Sequence, residues 1–197
     1  IENIKKTNLD GLINKMNFYI VNDLSQSYHD DPSKPFEGIK FTKILETGKD
    51  ICGAESSIAI TNPLNSTCRG GQYGGFACGY GCLSSWVCGP NVVGGIAVPH
   101  ELAHAIAFVE DEYGDSGSPQ GSEPLIYNCS DEPTCSKWSG MSGTGCYIGC
   151  GSGSPPKFGY SNLYRPTDES IMRATPNNFT FNSPSLKAWE EALKNFQ

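Results

Sequence analysis

Histidine is scarce in this chain, with only three in 197 residues. Basic residues are also in the minority, since 14 lysines and arginines stand against 21 acidic residues and leave a net charge of −7. A negative chain is repelled by nucleic acids and by anionic membrane surfaces, so we expect neither as a partner. No apolar run approaches the roughly 20 residues that a membrane-spanning helix needs, and we expect no membrane span.

The length suits one domain with a substantial core and is too short for two comfortable ones. We expect a single domain over residues 1–197, with an N-terminal subdomain at 1–114 and a C-terminal subdomain at 115–197. The chain opens Ile1-Glu2-Asn3 without a starting methionine, which favours a processed or trimmed mature form. We expect this domain to be a monomer.

Cysteine is abundant by contrast, with nine in the chain. Reducing compartments disfavour such usage, so the count favours a secreted protein with disulfide bonds. The odd number leaves at least one cysteine without a partner inside the chain. Local bridges are expected between Cys129 and Cys135 and between Cys146 and Cys150.

Two alternatives for the cysteine-containing segments stay open, a structural zinc site and glycosylation. Cys78 with Cys82, and Cys146 with Cys150, have a spacing that a structural zinc ion tolerates. The triplet Asn128-Cys129-Ser130 fits the glycosylation acceptor pattern, although such triplets are common by chance.

The apolar periodicity predicts a mixture of helices and strands. Helices are predicted at residues 3–15, at 39–48, from Pro99 through Val109 with a stop at Gly114, and from Ser183-Pro184 to the chain end, where Trp189 faces the core. Buried strands are predicted at 17–22 and 57–61. Residues 25–38 and 115–160 have the composition of loops. The glycine-rich stretch 69–95 is expected to combine a cysteine-stapled loop at about 76–90 with a segment at a sheet edge.

The most informative motif is His100-Glu101-Leu102-Ala103-His104, which uses two of the three histidines. Histidines four apart on a helix project from one face, one turn apart, so two neutral imidazoles can bind one zinc ion. The glutamate beside the first histidine can then act as general base on a zinc-bound water. The alternative is a helix with two packed or surface histidines. His29, the remaining histidine, lies in a predicted polar loop and is expected to be solvated.

A catalytic zinc site usually has three protein ligands, and the acidic residues just after the helix are Glu110, Asp111 and Glu112. On a continuing helix Asp111 would lie roughly 10 Å beyond His104, so the helix must end early and the chain must turn back. Three acids at a helix C-terminus oppose the helix dipole, which favours a cation nearby. The alternative third ligand is a distant glutamate, namely Glu123, Glu132 or Glu169.

The segment Glu169-Ser170-Ile171-Met172-Arg173 resembles the methionine turn of metzincin zinc peptidases. More narrowly, the chain resembles the bacterial IgA-peptidase family of zinc metallopeptidases over most of residues 95–190. The matching segments are His100 to Tyr113, Cys135 to Trp138, Gly145 to Gly149, Tyr164 to Arg173 and Phe181 to Ser185.

This resemblance implies an α/β (α+β) metzincin-like zincin with a twisted mixed sheet, a central zinc-binding helix and a coil-rich C-terminal subdomain that ends in a helix. The roles that it implies are zinc ligation by His100, His104 and Asp111, base catalysis by Glu101, and a structural methionine turn at Met172. The chain departs from the family pattern at residues 105–108, where a turn glycine is expected. Glu110 and Glu112 therefore stay open as the third ligand.

The expected function is that of a secreted zinc-dependent endopeptidase, which hydrolyses peptide bonds of a protein or peptide substrate through a zinc-bound water. A substrate strand can pair with an exposed sheet edge, which the glycine-rich stretch would supply. The alternative is a catalytically silent secreted binding or adhesion module on a metalloprotease fold. The intact Glu101 argues against that alternative, because loss of this residue is the simplest route to an inactive fold.

Overall fold

Short helices and two small sheets make up the structure, a computed structural model that describes residues 1–20, 40–61, 74–77, 83–88, 95–112, 127–151, 160–173 and 178–195. The predicted mixed α+β class is thereby confirmed. In this part of the chain there is no helix with the length and apolar character that crossing a membrane requires.

The elements follow one another along the chain without a long regular segment. The helices are α1 (Glu2–Lys5), α2 (Asp10–Ile13), α3 (Phe41–Cys52), α4 (Ala97–Leu102) and α5 (Ser183–Lys194). The strands are β1 (Ser57–Thr61), β2 (Gly74–Ala77), β3 (Ser84–Cys88), β4 (Tyr147–Cys150) and β5 (Tyr160–Arg165). A π-helical turn at Ala103–Ala107 continues α4, and 3₁₀ turns lie at Ser136–Trp138 and Ile171–Arg173.

The larger sheet is mixed and has the order β1-β3-β2. β1 pairs with β3 in parallel, and β2 pairs with the other side of β3 in antiparallel orientation, with Ala77 opposite Ser85. Among the described strands β2 has only β3 as a neighbour, so the predicted sheet-edge segment is a strand. The predicted stapled loop at 76–90 is wrong where it overlaps β3, because Ser84, Ser85 and Val87 are buried as part of the sheet.

The predicted helix at 3–15 is interrupted and forms α1 and α2 instead. The Thr7 hydroxyl donates to the Ile4 carbonyl at 2.6 Å, which offers the backbone an alternative to a continuous helix. Asn8 then pairs in both directions with the backbone of Phe181, at 2.7 and 2.8 Å, which fixes the interruption. The break therefore docks the N-terminus on the C-terminal part of the chain.

The strand predicted at 17–22 is wrong over residues 17–20, which have no regular structure. Tyr19 and Ile20 are 61% and 85% exposed, so the apolar run is not buried. Residues 21–22 lie outside the described residues, as does the predicted loop at 25–38 with His29. The predicted helix at 39–48 is confirmed as α3, which ends at Gly53 with a left-handed φ of 68°, and the predicted strand at 57–61 is β1.

The predicted coil at 115–160 contains strand β4, which pairs with β5 in antiparallel orientation. The described disulfides in this region are Cys129–Cys150 and Cys135–Cys146, so the expected local bridges are wrong. The bridges also exclude Cys146 and Cys150 as a zinc-binding pair, while Cys78 and Cys82 lie outside the described residues. Cys52 is a free thiol, as the odd cysteine count predicts for at least one residue.

The final helix, α5, is confirmed, although its N-cap lies one residue earlier than predicted. The Asn182 side chain accepts a hydrogen bond from the Ser185 backbone N–H at 3.1 Å. Trp189 on this helix is 1% exposed, as the prediction of a core position requires. One core cluster joins residues from both halves of the chain, such as Val109 and Ile171. The single domain over residues 1–197 and the subdomain boundary at 114 stay predictions.

Candidate metal centre

The helix that carries the histidine motif is buried on nearly all sides. Residues 98–101 of α4 are buried, and so are Ala103, Ala105, Ile106 and Ala107 in the π-helical turn that follows. Alanines permit the surrounding elements to approach closely, and burial fixes the direction in which the two histidines point. π-helical turns of this kind recur at functional sites.

The helix ends at Ala107, well before the predicted stop at Gly114. Phe108 takes a left-handed backbone conformation with φ of 56°, which terminates the helix and reverses the chain. This is the early end that a ligand just after the helix needs. The turn is made without the glycine that the family pattern led us to expect.

The reversal returns Asp111 to the two histidines. The Asp111 Oδ1 atom lies 3.0 Å from His100 Nε2 and 3.2 Å from His104 Nε2, and the two Nε2 atoms are 3.2 Å apart. The three side chains are almost fully enclosed, with 6–14% of their side-chain surface exposed. His100, His104 and Asp111 thus form the predicted group.

Backbone carbonyls set the tautomers of both histidines. His100 Nδ1 lies 2.9 Å from the Ile171 carbonyl oxygen, and His104 Nδ1 lies 2.6 Å from that of Val109. A carbonyl only accepts, so each Nδ1 carries the proton, and in the neutral rings each Nε2 presents a lone pair. Two nitrogen lone pairs and a carboxylate oxygen then converge on one point, which is the arrangement that a cation requires.

The spacing of these atoms fits a tetrahedral metal ion. Ligand atoms at bond lengths of about 2.0–2.1 Å around tetrahedral zinc lie roughly 3.3 Å from one another, close to the observed 3.0–3.2 Å. The group can therefore bind a metal ion without moving its ligands far, and its fourth side would remain for another ligand.

Electrostatics also favour positive charge at this point. Burial raises the pKa of Asp111, but His104 and His100 outweigh this effect and hold it well below its usual range. Burial lowers the pKa of both histidines, and Asp111 again outweighs it, so each histidine pKa is raised. The ionised carboxylate therefore attracts a proton or a metal ion to the imidazoles.

Glu101 is buried next to His100 and is 6% exposed. Burial raises the pKa of its carboxyl to about 8, while His100 and a hydrogen bond from the backbone of Ala77 act in the opposite direction. The contact with Ala77 places the carboxyl beside edge strand β2. The backbone carbonyl of Glu101 accepts a hydrogen bond from the Ser85 hydroxyl at 3.0 Å, which links α4 to the central strand β3.

The remaining acidic candidates lie elsewhere. Glu110 is buried, and its carboxylate accepts from the Asp111 N–H at 3.3 Å. Glu112 is also buried and points into a hydrogen-bond network away from the ligand atoms. Glu132 and Glu169 are exposed and outside the metal-binding group, and Glu123 is outside the described residues.

The proposed methionine turn lies directly behind the histidines. Met172 is fully buried in the 3₁₀ turn Ile171–Arg173. The backbone carbonyl of Ile171 accepts a hydrogen bond from His100. The backbone carbonyl of Met172 accepts one from the Glu112 N–H at 2.9 Å. The turn thus holds one ligand and the segment that carries another.

Sequence reasoning missed the contacts that hold the ligands in place. The carbonyls of Val109 and Ile171 belong to residues whose side chains give no sign of the role. Asn128 is fully buried and brackets Glu110, accepting from its N–H and donating to its carbonyl, both at 2.8 Å. The acceptor triplet that drew attention to Asn128 therefore marks a structural residue.

No protein-family model matches this chain, and no curated protein matches it either.

Proposed function

We propose that this chain is a zinc-dependent endopeptidase, the function that its resemblance to metzincins and to the bacterial IgA-peptidase family implies. The observation that carries the proposal is the convergence of His100 Nε2, His104 Nε2 and Asp111 Oδ1 beside the buried carboxyl of Glu101. Two imidazoles and one carboxylate with an open fourth side are a donor set typical of catalytic zinc. On this proposal Met172 forms the floor of a metzincin-like site.

The protein residues divide the work of hydrolysis. His100, His104 and Asp111 would hold the zinc ion, which when bound lowers the pKa of water and polarises a peptide carbonyl. Glu101 accepts a proton from the attacking water as the new C–O bond forms. It then transfers that proton to the departing amine as the C–N bond breaks, which returns the carboxylate to its starting state.

The edge strand supports a peptide as the substrate. β2 lies beside Glu101 through Ala77, and its second edge has no partner among the described strands. An extended peptide can pair with such an edge and present its backbone to the base. Two disulfides and the absence of a membrane-spanning helix in the described residues are compatible with our proposal that the protein is secreted.

The test is the Glu101→Gln variant, which keeps the shape of the side chain and removes the base. We expect the variant to retain its metal and to lose about 10²–10⁴-fold in hydrolysis of casein or of a broad peptide library. Glu190→Gln, an exposed change on α5, is the matched control and should retain full activity. Metal content is measured by elemental analysis of the same samples.

Full activity in Glu101→Gln would overturn the mechanism. A native chain that binds zinc and cleaves nothing in the library would favour a catalytically silent binding or adhesion module instead. A native chain that binds no metal would exclude a zinc-dependent peptidase.

A further inference from the structure

Glu112 is a fully buried carboxylate that the proposed mechanism does not use. It accepts hydrogen bonds from Asn128 Nδ2 at 2.9 Å, from Asn182 Nδ2 at 2.6 Å and from Ser170 Oγ at 2.5 Å. An ionised carboxylate only accepts, and here the three neighbours are donors. The site is built for this side chain, since burial of a carboxylate without such partners is strongly unfavourable.

The three donors come from three separate parts of the chain. Asn128 precedes the disulfide-bonded Cys129, Ser170 begins the turn that contains Ile171, and Asn182 caps α5. The Glu112 backbone adds a fourth link, because its N–H donates to the Met172 carbonyl. Glu112 thus links its own segment to all three of these parts of the chain.

These links reach two of the proposed metal ligands by short routes. Asp111 immediately precedes Glu112, so the fixed Glu112 sets the path of the backbone that carries Asp111. Ser170 immediately precedes Ile171, whose carbonyl orients the His100 ring. Glu112 is therefore the chain neighbour of Asp111, and its side chain contacts the chain neighbour of Ile171.

We infer that Glu112 is a positioning residue, which holds Asp111 and His100 at metal-binding distance through its hydrogen bonds to Ser170, Asn128 and Asn182. This inference rests on the proposed metal site. Partners behind metal ligands typically change metal affinity 10–100-fold when they are lost, and we expect a loss in that range here.

The test is a double-mutant cycle on Glu112 and Asn182. Asn182→Asp preserves the α5 cap, because Asp and Asn cap equally well, but it sets a second carboxylate against Glu112. Glu112→Gln removes the charge and replaces one acceptor atom with a donor. In the double variant Glu112→Gln/Asn182→Asp the Gln amide can donate to the new carboxylate, but the hydrogen bond from Asn128 Nδ2 to the same atom of residue 112 is not restored.

Each metal-free protein is titrated with Co²⁺ and followed by its visible absorption spectrum, and thermal unfolding of the metal-free forms is recorded beside it. We expect Asn182→Asp to bind Co²⁺ at least 10-fold more weakly with an altered spectrum, Glu112→Gln to be weakened as well, and the double variant to bind Co²⁺ more tightly than Asn182→Asp does. Ile44→Ala, which removes a buried side chain from α3, controls for stability. It should lower the unfolding temperature and leave affinity and spectrum unchanged.

Native affinity and spectrum in both single variants would overturn the inference while leaving the proposed metal site intact. A double variant that binds Co²⁺ no more tightly than Asn182→Asp would overturn it too, because residues in direct contact are coupled and the new hydrogen bond should offset part of the loss. Absence of Co²⁺ binding by the native chain would instead overturn the proposed function, and the two failures are therefore distinguishable.

Discussion

Phe108 performs a task that glycine usually performs. Its left-handed φ of 56° ends the helix that carries both histidines and starts the return of the chain to Asp111. For a residue with a Cβ atom this conformation costs roughly 1–2 kcal/mol. The same turn brings the Val109 carbonyl within 2.6 Å of His104 Nδ1, so the strained backbone is directly coupled to the orientation of a ligand.

The strain predicts a difference between two substitutions that remove the same ring. Phe108→Gly and Phe108→Ala both lose the phenyl group, but only glycine adopts the left-handed conformation freely. We expect Phe108→Gly to be more stable than Phe108→Ala by about 1 kcal/mol, because the steric relief exceeds the larger unfolded-state entropy of glycine. Denaturant unfolding measures the difference, and equal stabilities would show that the turn is not strained.

At this scale the motif predicted the residues whose chemistry is distinctive. The motif predicted His100 and His104, the family resemblance favoured Asp111, and the structure brings the three together. Phe108 could not be predicted, because no property of phenylalanine indicates a left-handed turn. The carbonyls of Val109 and Ile171 could not be predicted either, since every residue carries one and only the tertiary fold selects them.

The segment 110–112 is an irregular element whose position depends on its neighbours. The Asp111 carbonyl accepts from the Gly151 N–H at 2.7 Å, and Asn128 holds Glu110 on both sides. Gly151 and Asn128 each adjoin one half of the Cys129–Cys150 disulfide. This disulfide therefore lies directly behind the third ligand, whereas Cys135–Cys146 closes a loop further from it.

Removal of the two disulfides should separate stability from metal binding. Their sequence separations of 21 and 11 residues predict a loss of about 3 kcal/mol of unfolding free energy for each. We expect Cys129→Ser/Cys150→Ser to weaken zinc binding more than 10-fold as well, because Asp111 loses its backing. Cys135→Ser/Cys146→Ser should retain native affinity, and a competition titration with a chromophoric chelator measures both. An equal loss of affinity in the two variants would contradict this assignment.

At the scale of elements, the disulfides predicted from sequence proximity are wrong because the strands bring other cysteines together. Cys129 and Cys135 are close in sequence. However, an antiparallel β-bridge between Ser130 and Tyr164 aligns the chain after Cys129 with β5, and β5 pairs with β4. This pairing, with an irregularity between Ile148 and Cys150, sets Cys150 beside Cys129. The register of strands that are remote in sequence decided the connectivity, and no local pattern records it.

The helix that carries the two candidate metal ligands lies where the two ends of the chain meet. α5 packs on the π-helical turn, α1 packs on α4, and Asn8 is bonded to the backbone of Phe181. Residues from all of these segments share one core cluster. The candidate metal centre is therefore not confined to a surface loop, and the residues that form it are held by the global fold.

Because the ligands are part of the core, metal binding should stabilise the whole molecule. A ligand that binds only the folded state stabilises it by about 4 kcal/mol when its free concentration is roughly a thousand times Kd. For a chain of this size each kcal/mol raises Tm by about 2–4 °C, so we expect Tm to rise by about 10 °C on addition of zinc to the metal-free protein.

Asp111→Ala supplies the control for this experiment, because it removes one ligand and should abolish most of the zinc-dependent shift. A chelator should reverse the shift in the native chain and leave the Asp111→Ala variant unchanged. Calorimetry under both conditions decides the matter. If zinc raised Tm equally in the native chain and the variant, the stabilising ion would have to bind elsewhere, and the coupling between Asp111 and the global fold would be refuted.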